Sequence, residues 1–165
     1  ESDGPWYYEQ IDLGYNYRIT DIQCALIISQ LDKIEKFAAR RRQVVERYNE
    51  AFSQIPEITV QQEIPESDTT RHLYILRIRP ELLDTDRKGF FEALAAENIC
   101  CNVHYIPVYR HPYYEKLGYP KGLCPEAEKL YDEIISLPLY YSLTDEDVED
   151  VIKAVSKIAA YYRKN

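Results

Sequence analysis

The feature that most constrains this chain is a long run of apolar side chains at helical spacing behind a start signal. Thr20 and Gln23 form a T-x-x-Q capping box, which satisfies orphan backbone donors and marks the first turn of a helix. Behind it, Ile22, Leu26, Leu31, Ile34, Phe37, Ala38, Arg41, Val44, Val45, Tyr48 and Phe52 broadly follow one helical stripe. The spacing predicts one long helix or two nearly collinear ones. That stripe serves either core packing or a partner helix. Its polar face carries Arg40, Arg41 and Arg42, expected as a solvated face rather than an anion site.

After Pro56 the period changes. Ile58-Thr59-Val60 and Leu73 to Ile78 are β-branched and aromatic enough to read as strands. Asp84 to Asp86 precede a helix over Lys88 to Glu97, and Cys100 to Tyr105 reads as another strand. Pro125 suits the first turn of a short helix through Tyr131 and Ile134, followed by a brief strand over Ile135 to Leu139. Thr144, with Asp147 three residues on, caps a last helix striped by Val148, Val151, Ile152, Val155, Ile158 and Ala159. This order predicts an α+β fold, a small sheet covered by helices, with pairing that is mixed if the longer connections join parallel neighbours.

At 165 residues and 45% hydrophobic content, one globular domain is expected. A net charge of -8 disfavours nucleic acid and anionic membrane as partners, since both reward basic patches. No apolar run is long enough to cross a bilayer and no basic, apolar leader is present, so a cytoplasmic location is expected. Cys24, Cys100, Cys101 and Cys124 lack both C-x-x-C spacing and disulfide-framework density, and Cys24 and Cys100 are expected as buried structural thiols. Methionine is absent and the chain opens on Glu1, which suggests a domain excised from a longer protein.

Two segments hold candidate chemistry. Gly14-Tyr15-Asn16-Tyr17-Arg18 lies just before the Thr20 cap, where free backbone donors, the helix dipole and an arginine favour an anion such as a phosphate. The alternative is a turn at Asn16 and a pair between Arg18 and a carboxylate such as Asp21. The second segment runs from His104 to Pro112 and combines histidines, prolines and tyrosines into a shaped, aromatic wall. His104 and His111 have no convincing third ligand, so no metal is expected; a histidine base is conceivable. Turns are expected at Gly118-Tyr119-Pro120 and Lys121-Gly122.

Taken together, G-Y-N-Y-R continuing through Thr20-Asp21-Ile22-Gln23, Ala25-Leu26 and Ser29-Gln30-Leu31, the H-Y-I-P-V-Y-R-H-P string, and Ser136-Leu137-Pro138-Leu139 resemble the C-terminal part of the DegT-type sugar-nucleotide aminotransferases. The histidine-tyrosine string looks especially like the pseudaminic-acid branch, which aminates a UDP-linked keto sugar. Ile27 departs from the pattern, since relatives commonly carry glycine there. The resemblance implies the small C-terminal domain of the fold-type I architecture. In that division residues 1-19 are a lead-in with the G-x-N-x-R motif, residues 20-165 are the small domain, and the large cofactor-lysine domain is missing.

The resemblance further implies pyridoxal phosphate (PLP) as cofactor, Asn16 and more weakly Arg18 on its phosphate across a homodimer, and His104, Tyr105 and Tyr109 on the substrate side. No lysine precedes the Gly14 motif, so no catalytic residue is assigned within these residues and the piece alone is expected to be inactive. An amino acid, with glutamate the leading candidate, would be the donor. Two alternatives stay open: a non-enzymatic helical dimerisation domain, and a dehydratase in which histidine replaces the lysine.

Overall fold

A computed structural model of the protein describes residues 9 to 15 and 17 to 164. Packing divides the chain after Ile34 into two units. In the first, α1 (Asp21–Leu31) starts on the expected capping box: the Thr20 hydroxyl accepts from the Gln23 amide at 3.3 Å, and the Thr20 amide donates to the Gln23 side chain at 2.9 Å. Its apolar residues Ile22, Leu26, Ile27, Ile28 and Leu31 project around the whole helix, and none is buried. A turn at Asp32 and Lys33 separates α1 from α2 (Ile34–Phe52), so the sequence stripe is two helices. No glycine or proline marks that break. Asp32 sits at the negative end of α1, where a carboxylate opposes the helix dipole.

The second unit is an α+β fold around a three-stranded sheet of order β1 (Ile58–Val60), β2 (Tyr74–Ile78), β3 (Ile134–Leu137). Both pairings are antiparallel, with Ile58 opposite Ile78 and Ile75 opposite Ser136. The remaining helices are α3 (Arg87–Ala96), α4 (Pro112–Lys116), α5 (Pro125–Glu133) and α6 (Asp145–Tyr162). Alternation on β2 sends Tyr74, Leu76 and Ile78 to one face. There they join Val44, Tyr48 and Phe52 of α2, Phe90 and Leu94 of α3, Ile135 and Leu137 of β3, and Val148, Val151, Val155 and Ile158 of α6 in one core. The α6 stripe and its Thr144–Asp147 capping box are as expected from the sequence.

A fourth strand does not form. The Cys100 to Tyr105 segment makes one bridge, Asn102 opposite Ser136, with backbone bonds of 3.1 and 2.7 Å. The ladder stops at that pair; the next amide, Val103, points away from β3 and donates to the Asn102 side chain at 2.7 Å. Because Asn102 and Ile75 both run antiparallel to Ser136, the Asn102 segment runs in the direction of β2 with β3 between them. The long connection through α3 thus does join parallel segments, but they are not neighbours, and every paired strand is antiparallel.

The arginine cluster is also more engaged than a solvated face. Arg40 donates to the Leu143 carbonyl at 2.6 Å and to Asp145 at 2.9 Å, which fastens α2 to the start of α6, and Arg42 pairs with Asp68 of the connection between β1 and β2. The far end of α6 is fastened too. Arg163 binds the buried Glu57 through two bonds of 2.5 and 3.0 Å, and Lys164 donates its amide to Leu82.

Two outcomes are expected of this packing. Phe52 has no exposed surface, so Phe52→Ala is expected to cost about 3 to 5 kcal/mol in urea denaturation. Arg163 holds the Glu57 carboxyl below its ordinary value of 4.5, and burial opposes this only in part. The folded value being the lower one, the stabilisation is complete above the ordinary value and fades as pH falls through the folded value. Arg163→Ala is therefore expected to flatten the loss of stability between about pH 5 and 3; an acid limb as steep as that of the unsubstituted chain would refute the assignment.

Candidate functional site

The site is built outward from the sheet edge. Ser136 lies in β3 with its hydroxyl 2.7 Å from Nδ1 of His104, which fixes the imidazole at the rim of the sheet. His104 borders a hollow of about 330 Å3 walled by Val60, Ile75, Leu130 and Ile134, with Arg77 as its second basic group. Arg77 is itself held by the buried Glu133 at 2.5 Å. Tyr105 stands beside His104, ring centroids 4.6 Å apart and edge to face, and is 70% exposed. The pair presents a fixed ring and an open aromatic surface with a hydroxyl tip.

Proline shapes the rest of the loop. Pro107 precedes a single 3-10 turn over Val108–Arg110, and Pro112 opens α4. The turn is held against α5: the Tyr109 hydroxyl donates to Glu128 at 2.8 Å and accepts from the Cys124 amide at 3.2 Å. Glu128 also accepts from the Gly122 amide at 2.6 Å. The Gly122 amide and then the Tyr109 hydroxyl keep the Glu128 carboxyl below its ordinary range, while desolvation and then that carboxylate raise the Tyr109 phenol. The Arg110 guanidinium lies over the Tyr131 ring at 5.4 Å, and Arg87 lies over the same ring at 4.4 Å. The expected turns form, with Gly118 and Gly122 at positive φ.

Of the residues expected from the sequence, His104 and Tyr105 are therefore adjacent, and the Tyr109 hydroxyl is engaged with the protein itself. His111 precedes α4 without a side-chain capping bond. Asn16 lies outside the described residues. Its neighbours Tyr15 and Tyr17 have rings 5.6 Å apart, and Tyr17, Arg18, Ile19 and Gln23 border an open hollow of about 600 Å3 in the first unit. Sequence reasoning missed Ser136, Glu128 and Arg77. Ser136 belongs to the Ser-Leu-Pro-Leu motif, which carries no local sign of a side-chain role, and its position opposite Asn102 has no local signature either.

The cysteines need one correction. Cys100 is exposed and Cys24 only partly buried, whereas Cys101 packs against the core, where burial pushes its thiol up to about 12. The bridge at Asn102 sets which of the two neighbours faces inward. Among the described residues no group of histidine, cysteine and carboxylate side chains is arranged to hold a metal ion.

A model of the DegT/DnrJ/EryC1/StrS aminotransferase family matches residues 2–156. The chain belongs to that family. It is 40% identical to the spore coat polysaccharide biosynthesis protein SpsC of Bacillus subtilis, over 95% of this chain and 41% of that protein. It is 29% identical to the UDP-4-amino-4,6-dideoxy-N-acetyl-beta-L-altrosamine transaminase of Campylobacter jejuni, over 96% of this chain and 42% of that protein.

Solved structures agree. The sugar aminotransferase Spr1654 of Streptococcus pneumoniae in its PLP form is 30% identical with a TM-score of 0.85, covering 94% of this chain and 40% of that one. PseC of Helicobacter pylori, an aminotransferase of pseudoaminic acid biosynthesis, is 27% identical with a TM-score of 0.85, covering 98% of this chain and 43% of that one. The chain spans about two fifths of the length of these curated relatives.

Family membership asks whether these residues suit PLP. Arg18 and the first amides of α1 are donors suited to a phosphate. The carbonyl end is another matter, because it calls for an amine in a sheltered site and every lysine of the chain, Lys33 through Lys164, is exposed. The donor set fits the phosphate end alone.

The cysteine geometry gives a direct check. At pH 8 a thiol titrating near 12 is almost wholly protonated and unreactive, so alkylation followed by mass spectrometry is expected to modify Cys100 and Cys124 and to spare Cys101 until the chain unfolds. Modification of Cys101 as fast as Cys100 would contradict the packing.

Proposed function

We propose that these residues form the smaller, substrate-facing part of a PLP-dependent transaminase. It transfers an amino group from an amino acid, glutamate on this reading, to a UDP-linked 4-keto sugar destined for cell-surface polysaccharide or nonulosonic acid. The reaction takes place in the cytoplasm. The observation that carries the reading is the pinned His104 beside the exposed Tyr105, a rigid aromatic rim next to an apolar hollow, in a chain of a sugar aminotransferase family. The UDP-sugar named for the Campylobacter jejuni relative supports the substrate class. The PLP and PMP forms of the Streptococcus pneumoniae neighbour support the cofactor.

When bound, PLP supplies the electron sink and carries the amino group between donor and acceptor. The chain's own residues hold and orient. Asn16 and Arg18 bind the cofactor phosphate, Arg18 adding charge-assisted bonds. His104 and Tyr105 form the wall against which the sugar nucleotide lies, Tyr105 offering its ring face and hydroxyl. Tyr109 belongs to the same wall and keeps its curvature through Glu128 and Cys124. The lysine that bonds the cofactor and moves the proton lies outside these 165 residues.

The protein works as a homodimer on this reading. A helix apolar on every side, as α1 is, is covered in the working assembly, which supports a partner surface there.

In the intact protein, Asn16→Ala and Arg18→Ala are each expected to weaken cofactor retention about tenfold or more, because a lost charged hydrogen bond is worth roughly 1.5 to 3 kcal/mol. Unchanged cofactor affinity in both would remove the phosphate assignment. Tyr105→Ala is expected to raise KM for the keto sugar about three- to tenfold while leaving the half-reaction with the amino donor intact. A variant that slows only the donor half-reaction would place the wall elsewhere.

A further inference from the structure

In the function just described Glu128 only braces Tyr109, yet the segment that bears Tyr105 is held through it. The loop starts at His104, bound to Ser136 of β3, and its far end is gripped by α5 at two points, Tyr109 on Glu128 and Arg110 on Tyr131. Glu128 and Tyr131 are three residues apart and share one face of α5. The helix enters β3 without a linker, since Ile134, which caps α5 after Glu133, begins β3. Both ends of the loop thus rest on one continuous piece of structure.

A single oxygen, Oε1 of Glu128, accepts from both the Tyr109 hydroxyl at 2.8 Å and the Gly122 amide at 2.6 Å. Tyr109 in turn accepts from the Cys124 amide. The carboxylate therefore joins the aromatic loop to the turn between α4 and α5.

We propose that Glu128 is a positioning residue for the sugar substrate: by clasping Tyr109 and Gly122 it sets where Tyr105 stands. The inference rests on the reading that His104 and Tyr105 face the sugar. Removing the clasp leaves the His104 end anchored and the other end held only by Arg110 on Tyr131 and by the Cys124 amide on Tyr109, so Tyr105 samples more positions and productive binding becomes rarer. Chemistry at the cofactor, held by other residues, proceeds at its former rate once the sugar is bound. The clasp needs an acceptor oxygen rather than a charge, so a glutamine carbonyl oxygen serves.

The test uses the intact, cofactor-loaded protein and measures amide hydrogen exchange beside steady-state kinetics. In Glu128→Ala, exchange over residues 104–110 and 118–124 is expected to accelerate at least tenfold with α6 unchanged. KM for the keto sugar is expected to rise about fivefold or more, with kcat and the donor KM within about twofold. Tyr109→Phe is expected to behave in the same way, the double variant no worse than either single one, and Glu128→Gln close to the unsubstituted protein.

Unchanged exchange in both Glu128→Ala and Tyr109→Phe overturns the clasp and leaves the sugar wall standing. Faster exchange with an unchanged sugar KM overturns the positioning role, and Tyr105→Ala then shows separately whether the wall itself has failed. Failure of Glu128→Gln to rescue overturns the claim that an uncharged acceptor suffices.

Discussion

Much of the second unit converges on Ser136. Its backbone is paired on both sides, with Ile75 of β2 in the sheet register and with Asn102 across the single bridge, so β3 has no free edge at that point. Its neighbours Ile135 and Leu137 turn into the core against α3 and α6, while its hydroxyl faces the other way and fixes His104. One short strand, buried throughout, thereby couples the hydrophobic interior to the rim where the sugar is proposed to lie. Movement of β3 would disturb core packing and the imidazole together, which is why a rim residue can be held rigidly in so small a domain.

Around that strand the protein separates holding from presenting. Large apolar side chains and buried ends do the holding: Tyr48 donates to the Pro138 carbonyl at 3.1 Å, Tyr74 to Asn49 at 2.9 Å, and Glu57 and Arg163 bind the end of α6 to the segment before β1. Burial raises the Tyr48 and Tyr74 phenols, so both stay neutral donors. The presenting surface is made of loop residues with short tethers. Tyr105 is exposed, but His104 before it is fixed to β3 and Tyr109, four residues on, to α5. A loop so tethered keeps a defined shape without a core of its own.

Legibility followed the range of the interaction. The helix starts at Thr20 and Thr144 were readable because capping is local, α6 because one face is buried in a regular period, and β2 from its β-branched and aromatic composition. That the long stripe could be two helices was read, but the break could not be placed at Asp32 because no helix breaker occupies it. The fourth strand was overread because Cys100 to Tyr105 has strand composition, whereas pairing with β3 is confined to Asn102, and how far a ladder runs is set by the partner strand rather than by local sequence. Within the candidate site, His104 and Tyr105 were found from their motif, whereas Ser136 and Glu128 act across 32 and 19 residues and leave no mark in local sequence.

The central claim is that this chain supplies the grip and the wall while the reactive amine comes from elsewhere in the protein. Borohydride reduction of the intact cofactor-loaded enzyme, followed by peptide mapping, addresses it directly, because reduction leaves the cofactor permanently on the lysine that bound it. The account predicts one modified lysine, outside the 165 residues of this sequence. A single modified site at any lysine from Lys33 to Lys164 would contradict it.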